Sequence, residues 1–245
     1  MDKLHPKAVI FDLGSTLIEY ESTPWPELSV MAAASVHRFL AKQGLKVPPE
    51  EEFCRIFEEI KNEFRKPAAE NLTEWTVPQA AIILLDRMGI EQQDGLAEKM
   101  FDAYYKPVGE RIFPYDDTGD MLEWVKERVN TVGLVSNTIF PEQTHLAELR
   151  RFKLLKFLDF TIFSSTFGLR KPHPDVFHKA ASAAGYAPAE CVYIGDRFVE
   201  DYQGPTGIGM HAILKILPDR EYPADMPGDV PTIASLSELR NYLDI

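Results

Sequence analysis

The sequence predicts an α/β protein with a doubly wound parallel sheet, interrupted near its start by a block of helices. Apolar, strand-like runs alternate with helical patterns along most of the chain, which is typical of a parallel sheet with helices on both faces. The first of these runs does not alternate with polar residues, which indicates a strand buried on both faces. From about residue 27 to residue 105 the pattern is helical, with breaks near 44–49, 65–67 and 89–91, so this block lies outside the alternation.

Each strand is predicted from a short run of β-forming residues. In the first run, Val9, Ile10 and Phe11 lead directly into Asp12. The predicted strands are Ala8–Asp12, Thr131–Ser136, Phe160–Phe163, Cys191–Ile194 and Met210–Leu214. The helices predicted between and after them are Asp117–Val129, Pro141–Phe152, Pro174–Ala184, Phe198–Gly204 and Ser235–Leu243.

The helical block is predicted to form a separate domain. Its helices are predicted near Glu27–Gln43, Pro49–Phe64, Glu74–Met88 and Gly95–Tyr105. Pro49 suits a first helical turn, and Gly44 and Gly89 suit C-terminal caps. The segment at 65–67 predicts a helix break, since it contains Pro67. With Pro-containing junctions near 19–26 and 107–114, we expect an α/β core at 1–20 and 112–245 and an all-helical cap domain inserted at 21–111.

Composition and charge limit the partners of this chain. Its 245 residues are 45% hydrophobic, enough for a substantial core. A formal net charge of −12 argues against nucleic acid or an anionic membrane as the main partner, because both demand a basic surface. The longest apolar run, residues 80–85, is far too short to cross a bilayer, and the first residues contain no apolar signal segment. Cys54 and Cys191 lack metal-type spacing, so we expect reduced cysteines and a cytoplasmic protein.

Four polar features are expected at one edge of the sheet, where the carboxyl ends of the strands meet and ligands bind. Alone, each has an ordinary explanation as a helix cap, a turn or a solvated residue. Together they place three acids, a hydroxyl and a lysine on one edge, which favours a phosphate site. The features are Asp12 with the turn Gly14–Thr16, the cluster Ser136–Thr138, the loop Gly168–Pro174 containing Lys171, and the segment Gly195–Asp201 with Asp196.

Phosphoryl transfer fits these residue types, because it needs an in-line nucleophile and neutralisation of charge. Asp12 is the candidate nucleophile and would form an aspartyl phosphate. Lys171 would offset the repulsion between this carboxylate and the substrate phosphate. Mg²⁺ prefers hard oxygen ligands, and the candidates are Asp12, Asp196 and the backbone carbonyl of Gly14.

The remaining candidates are expected to bind the phosphate or to support the metal. The Ser136 hydroxyl, with Thr16, Asn137 and nearby backbone N–H groups, would bind phosphate oxygens. Asp201 would hold a metal-bound water or orient Lys171. The expected partner is a small phosphorylated metabolite, and the sequence leaves open whether the chain is a monomer or a homodimer.

In their order and context, these motifs resemble those of the haloacid dehalogenase superfamily. The motifs are Asp12–Thr16, Val135–Asn137, Arg170–Pro172 and Gly195–Asp201, spread over nearly the whole chain. The helical insert resembles the C1 cap of subfamily I. The resemblance implies a Rossmann-like core and a Mg²⁺-dependent phosphatase in which the cap selects the substrate. It also implies that Asp12 is the nucleophile, Ser136 binds the transferred group, Lys171 steadies the charges, Asp196 ligates Mg²⁺ and Asp201 supports the metal or the lysine.

One position departs from the pattern of that superfamily. Its phosphatases usually carry a second acid two residues after the nucleophile, which protonates the leaving alcohol and later activates water. Gly14 stands there instead. Loss of a placed general acid costs about 10²–10⁴ in rate. Glu19, Glu21 and His173 are candidate substitutes, and each also has an ordinary role as a solvated or helix-start residue.

Three functions therefore compete. The leading one is a Mg²⁺-dependent phosphatase with an aspartyl-phosphate intermediate. The second, favoured by Gly14, is a catalytically impaired protein that binds or senses phosphate without turnover. The third is a 2-haloacid dehalogenase, which also uses an aspartate nucleophile but no metal. Asp196 argues against the third function, because without Mg²⁺ it would repel a carboxylate substrate.

Overall fold

The structure, a computed structural model, describes residues 3–245 and divides them into two compact units. One unit combines the chain up to Glu19 with Phe113–Ile245, and the other is Tyr20–Ile112. The first contains every strand assigned in the described residues, and the second is helical. Within residues 3–245, no helix is long and apolar enough to cross a membrane.

The main sheet has six parallel strands, in the order β5-β4-β1-β6-β7-β8. The strands are β1 Ala8–Phe11, β2 Ile18–Glu19, β3 Phe113–Pro114, β4 Thr131–Ser136, β5 Phe160–Phe163, β6 Cys191–Gly195, β7 His211–Lys215 and β8 Thr232–Ile233. β1 is central, with Phe11 opposite Leu134 of β4 and Ile194 of β6. The residues after β1, β4 and β6 therefore emerge at the same edge. This topology confirms the predicted α/β fold with a doubly wound parallel sheet.

The helices alternate with the strands of the sheet or form the helical unit. They are α1 Trp25–Lys42, α2 Glu50–Asn71, α3 Val77–Arg87, α4 Leu96–Gly109, α5 Thr118–Lys126, α6 Glu142–Arg151, α7 Ser164–Phe167, α8 Pro174–Ala184, α9 Gly204–Thr206 and α10 Leu239–Tyr242. Short 3₁₀ helices lie at Leu155–Phe157, Pro188–Glu190 and Leu236–Glu238, and a π-helix at Phe198–Gln203. The predicted helix at 198–204 is thus a π-helix, and the one at 235–243 is a 3₁₀ turn followed by α10.

The strands of the sheet were predicted accurately because their central residues are mainly apolar and buried. β4 and β5 have the predicted bounds, and β1, β6 and β7 differ by one residue at one or both ends. All four residues of β1 are fully buried, as its non-alternating pattern predicts. β8 and the antiparallel pair β2–β3 were not predicted, since two-residue strands carry no periodicity.

The break expected at 65–67 was wrong, because α2 continues through Pro67 to Asn71. A proline inside a helix removes one hydrogen bond. Here the buried face of the helix resumes at once with Ala68, so packing outweighs that loss. The predicted glycine caps are confirmed: Gly44 and Gly89 have φ of +78° and +62° just after α1 and α3. Pro49 precedes α2 as its N-cap rather than lying in its first turn.

Candidate active site

Lys171 connects two carboxylates at the carboxyl edge of the sheet. It lies in the loop between α7 and α8, and its side chain is 2% exposed. Its Nζ donates to Asp12 Oδ1 at 2.6 Å and to Asp201 Oδ1 at 2.6 Å. The structure therefore brings the expected nucleophile, the expected lysine and one expected supporting acid into direct contact.

The charges of this cluster shift the pKa values of its members. Burial by itself lowers the pKa of Lys171, but the attraction of Asp12 and Asp201 outweighs it and raises that pKa well above its usual range. Burial raises the pKa of Asp12, Asp201 raises it further, and Lys171 opposes both. The two carboxylates therefore favour the protonated form of Lys171.

Two polar side chains that face Lys171 fix its position. The Asn137 amide Nδ2 donates to the Lys171 carbonyl at 2.9 Å, while Asn137 Oδ1 accepts from the Lys171 N–H at 2.7 Å. Tyr193 accepts from Lys171 Nζ at 2.8 Å and donates to the carbonyl of Val135 at 3.0 Å. The amide of Asn137, expected to bind phosphate, is thus paired with the peptide groups of Lys171. Sequence reasoning missed Tyr193, whose only signal is a hydroxyl-bearing residue inside an apolar strand.

Asp201 is held by its neighbours as well as by Lys171. Its Oδ2 accepts from the backbone N–H of Asp196 at 3.1 Å and of Arg197 at 2.9 Å. Gly195 makes this approach possible, because a Cβ at that position would lie 2.4 Å from Asp201 Cγ. Asp201 therefore positions both Lys171 and the backbone that leads into the π-helix.

Oxygens of the three carboxylates lie close enough together to suit a divalent cation. The Thr16 hydroxyl is 3.3 Å from Asp12 Oδ2 and 3.2 Å from Asp196 Oδ1. A hydroxyl has one proton, so it can donate to only one of these two oxygens at a time. Asp12, Asp196 and Asp201 each offer a carboxylate oxygen within 4.8 Å of the others, and all three residues are buried. Such a concentration of hard, negatively charged oxygens suits Mg²⁺.

Two further site residues occupy the places their motifs predict, and one cation was not predicted. Ser136 is the buried last residue of β4, on the same edge as Asp12. Gly14 lies two residues after Asp12 and forms an isolated bridge with Ile18. Arg220, in the loop after β7, forms an ion pair with Asp196 Oδ2. No sequence signal identifies Arg220, because its loop has no motif or periodicity.

The candidate substitutes for the missing acid have different surroundings. Glu19 ends β2, where its Oε2 accepts from the hydroxyl of Tyr115 at 2.5 Å. His173 is the N-cap of α8, and its Nδ1 accepts from the backbone N–H of Asp175 at 3.2 Å. His173 thus has the ordinary helix-start role that its position suggests. Glu21 belongs to the helical unit.

Comparison with known proteins places these motifs among those of hydrolases. The family model for haloacid dehalogenase-like hydrolases matches residues 6–209. A glyceraldehyde 3-phosphate phosphatase of Methanopyrus kandleri is 28% identical over 205 residues, which cover 83% of this chain and 81% of that protein. A protein of the same name from Methanothermobacter thermautotrophicus is 26% identical over 241 residues, covering 97% and 99%. A 2-haloacid dehalogenase of Pseudomonas syringae has a similar fold, with a TM-score of 0.74, 23% identity and 97% coverage of both chains.

Proposed function

Since the chain belongs to the haloacid dehalogenase-like hydrolase family, we propose that it is a Mg²⁺-dependent phosphatase acting on a small phosphomonoester. One observation carries the proposal. Lys171 Nζ lies 2.6 Å from Asp12 Oδ1, beside a group of three buried carboxylates. This arrangement supplies a nucleophile, a fixed cation and a set of metal ligands in one place.

In the proposed reaction the Asp12 carboxylate attacks phosphorus. An Asp12 O–P bond forms, the ester P–O bond breaks and the alcohol leaves with a proton. Lys171 offsets the charge that would otherwise keep the carboxylate and the phosphate apart, while Asn137 and Asp201 hold the lysine in place. Ser136 would bind a phosphate oxygen. Water then cleaves the aspartyl phosphate, which releases inorganic phosphate and restores Asp12.

The metal would be held by Asp12, Asp196 and the backbone carbonyl of Gly14. When bound, Mg²⁺ would neutralise phosphate charge and orient its oxygens. Arg220, which pairs with Asp196 in this structure, would share that carboxylate with the metal or move aside. The Thr16 hydroxyl would donate to one of the two ligating carboxylates.

Gly14 carries no acid, so the proton that leaves with the alcohol must come from another group. Glu19, Glu21, His173 and a water molecule are the candidates. Replacing each of the three side chains by a non-ionisable residue, and recording kcat against pH, identifies the donor. A donor's replacement removes one limb of the profile, whereas unchanged profiles for all three leave water in that role.

We further propose a small phosphorylated metabolite as the substrate and the cytoplasm as the location. Two curated relatives are named glyceraldehyde 3-phosphate phosphatases, so triose phosphates head the substrate panel. Both Cys54 and Cys191 are free thiols, which supports a reducing compartment.

The test is phosphate release from an aryl phosphate and a panel of metabolites, with Mg²⁺ or with EDTA. We expect Mg²⁺-dependent release by the wild type, loss of release in Asp12→Asn, and normal release in the control Asp120→Asn, whose carboxylate is exposed. A Mg²⁺-induced rise in melting temperature that is lost in Asp196→Asn would place the metal independently of turnover. Binding of phosphate without release would favour the phosphate-sensing alternative, and metal-independent halide release from a 2-chloro acid would favour the dehalogenase.

A further inference from the structure

A second buried lysine lies at the same edge of the sheet and takes no part in the reaction described above. Lys215 is the last residue of β7 and is 3% exposed. Its Nζ donates to the backbone carbonyls of Ser15 at 3.1 Å and Thr16 at 3.0 Å. It therefore binds the turn that directly follows the proposed nucleophile.

The remaining direction of the ammonium group is occupied by an aromatic ring. Lys215 Nζ lies 3.2 Å from the centroid of the Tyr115 ring, a cation–π contact at close range. The Tyr115 hydroxyl donates to Glu19 Oε2 at 2.5 Å, which fixes the ring in turn. An ammonium has three donors, and here two meet carbonyls and the third faces the ring.

The turn that Lys215 binds needs support from outside. Ser15 has a φ of +59°, in the left-handed region where residues other than glycine are strained. The next residue, Thr16, extends its hydroxyl to both Asp12 and Asp196. A shift of this turn would therefore move the hydroxyl between those carboxylates and change the direction of Asp12.

We propose that Lys215 is a positioning residue for phosphoryl transfer, which holds the turn at 13–16 so that Asp12 and Thr16 keep their reactive arrangement. The inference rests on the proposed phosphatase function for its kinetic part. Lys215 acts through backbone carbonyls, so the loss of its contacts lowers the rate of the chemical step more than it weakens substrate binding.

Lys215 changes its protonation state within the pH range of an ordinary assay. Burial lowers the pKa of Lys215 to about 8, while Asp117, Glu19 and Asp12 all act to raise it. The phenol of Tyr115, whose ring Lys215 contacts, is a further titratable neighbour. Loss of the proton removes one donor and the positive charge, so the contacts with the turn and the ring weaken above pH 8.

The kinetic test compares Lys215→Met and Lys215→Arg with the wild type and with Lys179→Met, an exposed lysine on α8. We expect kcat of Lys215→Met to fall about 10–10²-fold with little change in KM, because the nucleophile is misdirected. Lys215→Arg should keep much of kcat and lose the alkaline decline near pH 8, because a guanidinium stays protonated. Lys179→Met should match the wild type in both respects.

Hydrogen exchange supplies a readout that needs no activity. Amides of residues 13–18 should exchange faster in Lys215→Met than in the wild type, while Lys215→Arg and Lys179→Met stay close to the wild type. If the wild type releases no phosphate from any substrate, the phosphatase proposal fails and exchange alone decides the role of Lys215. A folded Lys215→Met variant with unchanged kcat or unchanged exchange in this segment overturns the proposal. If Lys215→Met does not fold, an alkaline limb in Lys215→Arg identical to that of the wild type overturns it, and loss of that limb supports it.

Discussion

Substitution of Gly195 by alanine tests how tightly the backbone of β6 fixes the charged cluster. A Cβ at this position would lie 2.4 Å from Asp201 Cγ and 2.7 Å from Asp201 Oδ2. Ordinary van der Waals separation therefore requires about 1 Å of movement by Asp201 or by the strand. The bond from Lys171 Nζ to Asp201 is 2.6 Å long, so a retreat of this size takes the pair beyond hydrogen-bond distance.

The size of the effect follows from what Asp201 loses. Hydrogen bonds to charged groups contribute about 1.5–3 kcal/mol each, and overpacking adds strain. For Gly195→Ala we expect the free energy of unfolding to fall by about 2–4 kcal/mol. The kcat for phosphate release should fall about 10²-fold, because Lys171 loses its contact with Asp201 and is positioned less firmly. Urea unfolding followed by circular dichroism gives the first quantity, and phosphate release gives the second.

Gly119→Ala is the matched control for this prediction. Gly119 lies in α5, and a Cβ there would meet no atom within 4 Å. Alanine should therefore stabilise the protein by about 0.5–1 kcal/mol through helix propensity, with kcat unchanged. The reasoning is refuted if Gly195→Ala unfolds within about 0.5 kcal/mol of the wild type and keeps its kcat.

Three further predictions concern the charged groups of the sheet-bearing unit. Lys171→Met should lower kcat about 10²–10³-fold, measured by phosphate release, because Asp12 and Asp201 then face each other without a cation. Gly14→Asp should raise kcat for alkyl phosphates by about 10²–10⁴ if proton transfer limits turnover, measured on the same panel. Burial lowers the pKa of His145 to about 3, against the opposing effect of the buried Glu148, whose Oε2 lies 2.7 Å from His145 Nδ1. As pH falls below 6.5, the unfolded chain therefore takes up a proton that the folded chain does not bind. Between pH 7 and pH 5 this should remove about 2 kcal/mol of the urea-derived free energy of unfolding.

Each of these three has a control and a contrary outcome. Lys179→Met accompanies Lys171→Met, and equal kcat values for the two would exclude a role for the buried cation. An unchanged kcat in Gly14→Asp would show that another group already supplies the proton. For the pH prediction, the free energy of unfolding of His145→Gln should not fall by this additional amount between pH 7 and pH 5. An identical loss in that variant would mean that other groups cause it.

The core of the fold could be predicted because a strand buried on both faces is encoded by a continuous run of mainly apolar residues. β1, β4 and β5 are mainly apolar runs, which the sequence predicts with exact bounds for β4 and β5 and within one residue for β1. Their order along the chain also places Asp12 and Ser136 on one edge, since parallel strands joined by helices share a direction. The sequence therefore predicts that the three acids and Lys171 lie at the same edge of the sheet.

The contacts that hold this group together could not be predicted in the same way. Lys215 and Ser15 are 200 positions apart, and nothing local marks either as a partner of the other. Tyr193 lies in a run of buried β-forming residues and is distinguished from its neighbours in that strand only by its hydroxyl. The continuation of α2 through Pro67 depends on packing of a face whose partners are distant in sequence. Pairings of this kind are set by tertiary structure, which a single sequence does not display.

The absence of an acid at position 14 affects proton transfer in the proposed reaction but leaves charge neutralisation intact. Charge neutralisation is secured, because Lys171 is fixed by Asp12, Asp201 and Asn137. The proton for the leaving alcohol must come from a group other than residue 14. The need for a general acid grows as the leaving alcohol becomes more basic, so an aryl phosphate needs it less than an alkyl phosphate. Since Gly14 also lacks the side chain that would activate water, such a site should form the aspartyl phosphate readily from aryl esters and hydrolyse it more slowly. The ratio of kcat/KM for aryl and alkyl phosphates, which reports formation of the aspartyl phosphate, consequently measures the contribution of position 14 separately from the contribution of Lys171.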